Sequence, residues 1–280
     1  MRSSPRSIQC IMASFLALTL SACDGGSPTP LSATEPPQEV PSVTQEEVIG
    51  QGEETAAMTP TAIPAEMPAP VDVQIPGAEG LILAGTYVGV PGVPSPAVLL
   101  LHKYGKDRTT WSDFALRLQG AGVASLAIDL RGFGGTGGGE DWKLAIEDVR
   151  AALAWLSAQP GVDKDKLAVV GASIGANLSM VVGTEDATIA AIGLLSPGFD
   201  YFRVKVDQEM MRQYGARPAF LAAAESDGYS AETVRSLAQA AQGKVDLVLY
   251  PGSAHGTDLL QAHADFGDRL LKFLAESLAR

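Results

Sequence analysis

Ser173 lies in the run Gly171-Ala172-Ser173-Ile174-Gly175, where the apolar stretch Leu167 to Val170 passes into a helix-like segment, Ile174 to Val182. A serine at such a strand-to-helix turn sits on a strained backbone with its hydroxyl at the upper edge of a sheet. Glycine on either side relieves the crowding that neighbouring Cβ atoms would create. The chemistry on offer is nucleophilic attack, and a serine hydroxyl at neutral pH needs a base to perform it.

The chain holds 3 histidines. His102 closes an apolar run ahead of the first helical segment, and His263 falls inside the terminal helical stretch, where a packing or surface role is the simpler reading. His255 stands in YPGSAHGTD, a glycine-rich loop directly after the last apolar run, from which an imidazole can swing across a sheet edge. An imidazole base needs an acceptor that holds its tautomer and stabilises the imidazolium. Asp227, in FLAAAESDGYS, follows the preceding apolar run, with Glu225 as its nearest competitor. The resulting order is Ser173, Asp227, His255, each after a different strand-like run.

Elements that could bring these residues together are legible in the patterning. Val71 to Ile75 and Leu81 to Val88, joined by Pro-Gly-Ala-Glu-Gly, predict an antiparallel hairpin. Ala97 to Leu101, Val123 to Ile128, Leu167 to Val170, Ile189 to Leu195, Ala219 to Ala223 and Val245 to Tyr250 are unbroken apolar runs, as expected of strands covered on both faces. Amphipathic stretches of helix length alternate with them: Thr110 to Gly120, Asp141 to Ala158, Ile174 to Val182, Ala231 to Gln242 and Asp258 to Leu278. The alternation predicts an α/β protein with a doubly wound, mostly parallel open sheet of about eight strands, whose first pair forms an antiparallel edge. Sites in such sheets gather at the C-terminal ends of the strands, where all three residues fall.

This order, with the segments GASIG, LLLHKYG, AIDLRGFGGTGG, AAESDGY and GSAHG, resembles the α/β-hydrolase superfamily over nearly all of residues 71–280. Within it, the chain is most similar to lidless serine esterases and dienelactone-hydrolase-like members; the latter usually carry a cysteine where Ser173 stands. The resemblance implies a catalytic triad of Ser173, His255 and Asp227. It also implies an oxyanion hole built from the backbone N–H groups of Ile174 and, on the loop after the third strand, Tyr104. Lys103 stands where the superfamily often has glycine after His102, which restricts that loop and sets a positive charge at the pocket rim.

Other motifs compete. Gly132, Gly134 and Gly137 satisfy G-x-G-x-x-G after a strand-like run, but a dinucleotide fold places that motif at its first strand and an acid at the end of the next. Asp129 beside it reads as structural. No cofactor is implied, and three scattered histidines give no metal-ligand spacing. Trp111, Trp142 and Trp155 fall at helical positions and are expected to pack.

The first residues set the compartment. Arg2 and Arg6 precede an apolar run from Ile8 to Leu20, too short to span a bilayer, and Leu20-Ser21-Ala22-Cys23 resembles a bacterial lipobox. The expectation is a signal peptide over 1–22, a lipidated Cys23 and a Pro/Glu-rich tether over 23–70, placing the domain of 71–280 in the bacterial cell envelope, outside the cytoplasm and anchored to a membrane. Cys10 falls in the removed segment, so the domain has neither a thiol nucleophile nor a disulfide. Of the net charge of −12, the eight acids between Asp24 and Pro70, with no base among them, hold −8 and Arg2 and Arg6 add +2, which leaves −6 for residues 71–280. That balance disfavours nucleic acid as a partner.

The sequence therefore predicts a tethered serine hydrolase acting on carboxylic esters. The segment between 196 and 217 has room for a loop and a short helix but no large lid, which implies an open pocket and small or medium acyl substrates. The alternatives are a prolyl-type serine peptidase and an inactive hydrolase-fold binding lipoprotein.

Overall fold

A computed structural model describes residues 66–92 and 94–279. The expected signal, Cys23 and most of the tether lie outside the described residues. Among those described, no helix is long and apolar enough to cross a membrane.

Val71–Pro76 (β1) and Ile82–Val88 (β2) pair antiparallel across a turn in which Glu79 and Gly80 take positive φ. β2 pairs antiparallel with Ala124–Ile128 (β4), which lies parallel to Ser95–Leu101 (β3). Val162–Ala172 (β5), Ile189–Leu195 (β6), Ala219–Ala224 (β9) and Val245–Tyr250 (β10) continue the sheet in parallel, in the order β1-β2-β4-β3-β5-β6-β9-β10. The expected sheet, with its antiparallel edge, is the sheet observed.

Alternate residues of each central strand feed two cores. Leu99, Leu101 and Val169 pack with Trp142–Ser157 (α2), Ile174–Glu185 (α3), Gln208–Tyr214 (α4) and Gly228–Ala240 (α5) on one face. Val98, Leu100 and Val170 pack with Ser112–Gly120 (α1) and Phe266–Leu278 (α7) on the other. Covering both faces explains why these strands lack polar alternation. Each fully buried aliphatic side chain contributes on the order of 1.5–3 kcal/mol.

The structure differs from the sequence reading in three places. β5 starts at Val162, because the polar residues Asp163 to Lys166 hide an extension that pairs Val162 with Ser95. The terminal stretch is not one helix: Leu259–Ala262 (α6) ends at His263, whose extended backbone lets its ring stack on Tyr250 at 4.3 Å. Asp265 then accepts from the Tyr250 hydroxyl at 2.7 Å before α7 begins, so contact with the end of β10 breaks the helix. Finally, the segment between β6 and β9 contains, besides α4, a small hairpin of Asp200–Tyr201 (β7) and Val204–Lys205 (β8).

Candidate active site

The parallel register aligns the strand ends that carry the site. Leu101 pairs with Gly171, Ala172 with Leu195, and Leu195 with Ala222. The next residues extend that edge by backbone hydrogen bonds: Ser173 N–H donates to Leu195 O at 2.8 Å, Ser196 N–H to Ala222 O at 2.7 Å and Glu225 N–H to Tyr250 O at 2.7 Å. Ser173, Asp227 and His255 thus reach one rim from β5, β9 and β10.

Ser173 has φ 54° and ψ −120°, a conformation that L-residues rarely adopt. Its neighbours explain the glycines around it. A Cβ on Gly171 would lie 2.0 Å from Gly175 O, and one on Gly175 would lie 2.6 Å from Leu101 O and 2.7 Å from His102 O. The turn is therefore closed to larger residues on both sides.

Ser173 and Asp227 stand at helix starts but forgo the bond their position favours, as do Asp258 and Asp265, which bond Lys103 and Tyr250 instead. Asp107, Asp141 and Asp207 each cap a helical segment, accepting from backbone N–H groups at 2.9–3.0 Å. Asp227 stands at the same position before α5 yet makes no cap bond, and Ser173 makes none before α3. Asp227 Oδ2 instead accepts from His255 Nδ1 at 2.7 Å. Since the carboxylate can only accept, Nδ1 carries the proton and Nε2 is left with its basic lone pair. Glu225 is exposed, and His255 bonds Asp227 instead.

The hydroxyl of Ser173 is 6% exposed as part of its residue and forms no hydrogen bond of ordinary length among the described residues. Tyr201 links it to the base: the Tyr201 hydroxyl faces Ser173, and the Tyr201 ring meets the His255 ring edge-on at 6.3 Å between centroids. Catalytic hydrogen bonds of unliganded sites often tighten only when substrate binds.

The loop after β3 is fixed by two side chains. His102, fully buried, donates from Nδ1 to Lys103 O at 2.8 Å and accepts the Leu130 N–H at Nε2 at 2.9 Å. Burial holds the His102 pKa below its usual value, which keeps the ring neutral as this pattern requires. Lys103 reaches back over the site, its ammonium donating to His255 O at 3.2 Å and Asp258 Oδ2 at 2.6 Å. The charge expected at the rim is thus a strap between the Tyr104 loop and the His255 loop. On the His255 side, Gly256 N–H donates to the buried Ser196 hydroxyl at 2.9 Å.

The two oxyanion candidates start from backbone positions with donors to spare. Ile174 is the first residue of α3, where an N–H has no intrahelical acceptor. Among the described residues, no protein acceptor takes the Tyr104 N–H.

The glycine-rich loop after β4 encloses a carboxylate of its own chain. Asp129 accepts from Arg108 N–H at 2.7 Å, from the Arg108 guanidinium and from Gly135 N–H at 2.6 Å. A Cβ on Gly134, at φ 51°, would sit 2.2 Å from Asp129 Oδ2. The cradle that could have suggested a nucleotide phosphate is filled by Asp129. Among the described residues, no group of three or more His, Cys, Asp or Glu could hold a metal ion.

Sequence reasoning missed the hairpin. It carries Tyr201 over Ser173, and its tip residue Phe202 stacks on Trp142 at 4.9 Å and on Tyr104 at 4.8 Å. Trp142 packs, as foreseen, but in this partly exposed aromatic cluster at the rim. Two-residue strands leave no period to detect, and the adjacent aromatics Tyr201 and Phe202 are the one local signal in PGFDYF.

A mostly parallel eight-stranded sheet covered on both faces, with a strained serine on its central strand end, decides the architecture. The fold is that of the α/β hydrolases. The sequence model of the family described as serine aminopeptidase, S33, matches residues 92–217. An uncharacterized protein of Mycobacterium tuberculosis is 28% identical over 228 residues, covering 75% of this chain and 81% of its own. Among solved structures, a Pyrococcus furiosus esterase superposes with a TM-score of 0.62 at 19% identity, covering 75% of this chain and 93% of its own. A dienelactone hydrolase from Anabaena variabilis gives a TM-score of 0.59 at 21% identity, covering 76% and 97%.

Proposed function

We propose that this protein is a serine hydrolase that cleaves carboxylic esters of small or medium acyl substrates through an acyl-enzyme. The observation that carries this reading is the 2.7 Å bond from His255 Nδ1 to Asp227 Oδ2, made by an aspartate that forgoes capping its own helix. Asp227 holds the tautomer in which His255 Nε2 accepts the Ser173 proton as Oγ attacks the ester carbonyl. The N–H groups of Ile174 and Tyr104 receive the developing oxyanion, where loss of one such donor costs about 3 kcal/mol. The protonated imidazole then passes its proton to the leaving alcohol, and water attacks the acyl-enzyme by the same route in reverse.

The test is hydrolysis of p-nitrophenyl acetate and butyrate by the purified chain, together with fluorophosphonate labelling mapped to Ser173. Both signals should vanish in Ser173→Ala, and Asp227→Asn should lower kcat by about 10³- to 10⁴-fold. Folded wild-type protein silent in both assays would refute the reading.

The match to the family described as serine aminopeptidase favours a second reading, in which the same machinery cleaves peptides. Labelling of Ser173 without ester turnover, together with release of p-nitroaniline from aminoacyl anilides, would select it. The lipobox-like sequence supports attachment to an envelope membrane through Cys23; Cys23→Ala should move the protein from the membrane fraction to the soluble one.

A further inference from the structure

The hairpin over the nucleophile is tied down on both sides. Asn177, fully buried on the first turn of α3, donates from Nδ2 to Gly198 O at 2.8 Å and to Val204 O at 2.7 Å, and its Oδ1 accepts the Gly198 N–H at 3.1 Å. One side chain, four residues beyond Ser173, therefore grips both legs of the hairpin. On the α5 side the Tyr229 hydroxyl accepts the Asp200 N–H at 2.8 Å, and at the tip Phe202 clusters with Tyr104 and Trp142, its ring 4.8 Å and 4.9 Å from theirs. Phe202 and Arg203 both take positive φ in the turn, a conformation glycine and asparagine usually supply, so surrounding contacts must hold it.

These ties set Tyr201 in one place. Its hydroxyl lies 3.2 Å from the buried Ser230 Oγ and faces Ser173, while its ring is packed edge-on against His255 and Tyr229. Gly198 makes the packing possible, since a Cβ there would lie 2.5 Å from both the Tyr201 and Tyr229 rings. The hairpin is thus registered to the helix that Ser173 begins, and it is a fixed wall.

We propose that Tyr201 is a specificity-determining residue of this site: its ring, locked above Ser173 by Asn177, restricts the acyl group to short chains, and its hydroxyl hydrogen-bonds an oxygen of the bound ester. The proposal rests on the ester-hydrolase reading and names the determinant of its substrate class. A substrate acyl group bonded to Ser173 Oγ must share the space beneath the phenol, where a methyl or propyl chain has fewer atoms to place than a heptyl chain. Burial holds the Tyr201 pKa above its usual value, so the group stays a neutral hydroxyl able to donate.

The experiment compares kcat/KM for p-nitrophenyl acetate, butyrate and octanoate in the wild-type chain, Tyr201→Phe and Tyr201→Ala, with fluorophosphonate labelling of Ser173 in each. Tyr201→Ala should raise the octanoate-to-acetate ratio by about tenfold or more. Tyr201→Phe, which keeps the ring, should leave that ratio within about twofold while lowering kcat/KM several-fold on all three esters. An unchanged ratio in labelled Tyr201→Ala overturns the chain-length wall, and unchanged rates in Tyr201→Phe overturn the hydroxyl contact. If Tyr201→Ala does not fold, Tyr201→Leu provides the same comparison with more of the core filled. A wild-type chain that neither labels nor turns over ester overturns the hydrolase reading and this inference with it, whereas labelling with an unchanged ratio overturns the inference alone.

Discussion

Replacing Ser173 separately by alanine and by glycine isolates the strain stored at the nucleophile. At φ 54° and ψ −120° any residue with a Cβ is disfavoured, by about 1–3 kcal/mol, whereas glycine adopts such angles freely. Both substitutions delete the hydroxyl and whatever contact it makes with Tyr201, so that loss cancels between them. Glycine loses more backbone freedom on folding, which returns about 0.5–1 kcal/mol. The net expectation is that Ser173→Gly is more stable than Ser173→Ala by about 1–2 kcal/mol. For a domain of this size each kcal/mol moves Tm by about 2–4 °C, so the glycine variant should melt about 2–8 °C higher. Thermal unfolding followed by circular dichroism at fixed pH measures the difference, and both variants should be silent toward ester and fluorophosphonate. A glycine variant melting at or below the alanine variant would show that the turn is not strained, and the argument that the fold holds Ser173 in a costly conformation for function would fail.

Lys103→Met removes the strap to His255 O and Asp258; because Asp258 is half exposed, Tm should fall by no more than about 3 °C, corresponding to at most about 1 kcal/mol. Ester kcat/KM should nevertheless drop about tenfold, and Lys103→Arg should recover most of it. Arg131→Ala leaves the buried Asp148 carboxylate, which Arg131 Nε approaches at 2.6 Å, without its cation; the expected cost is about 3–5 kcal/mol, visible as a large fall in Tm, with Ser173 labelling retained below the new transition. His102 predicts a pH effect on stability. Its folded pKa is depressed, so the unfolded chain binds more protons as pH falls through about 6.5, and stability should decline from there toward pH 5. Denaturant unfolding across that range in wild type and His102→Gln should show a shallower slope in the variant, and equal slopes would contradict the assignment.

The strands and the triad candidates were legible because each leaves a local trace. Leu99, Val169 and Leu194 belong to unbroken apolar runs, Gly171 and Gly175 bracket Ser173, and with only 3 histidines, post-strand position was enough to single out His255. Asp227 over Glu225 was less secure, since an acid ahead of a helix reads equally well as a cap, and only the bond to His255 separates the two roles. The break at His263 left no trace, because it is caused by stacking on Tyr250, a residue on another element. The hairpin at 200–205 was invisible for a different reason: two-residue strands have no periodicity, and the residues that hold them, Asn177 and Tyr229, are distant in sequence.

By itself, the sequence determined the layered sheet, since hydrophobic periodicity and glycine placement are local constraints that each segment satisfies within its own length. It also singled out Ser173 and His255 as the candidates for nucleophile and base. Tertiary structure alone decided that Asn177 ties down the hairpin at 200–205, that Lys103 spans two loops, and that the glycine-rich turn after β4 encloses Asp129. Those are contacts between segments tens of residues apart, and a linear pattern carries no record of the distance between them in space.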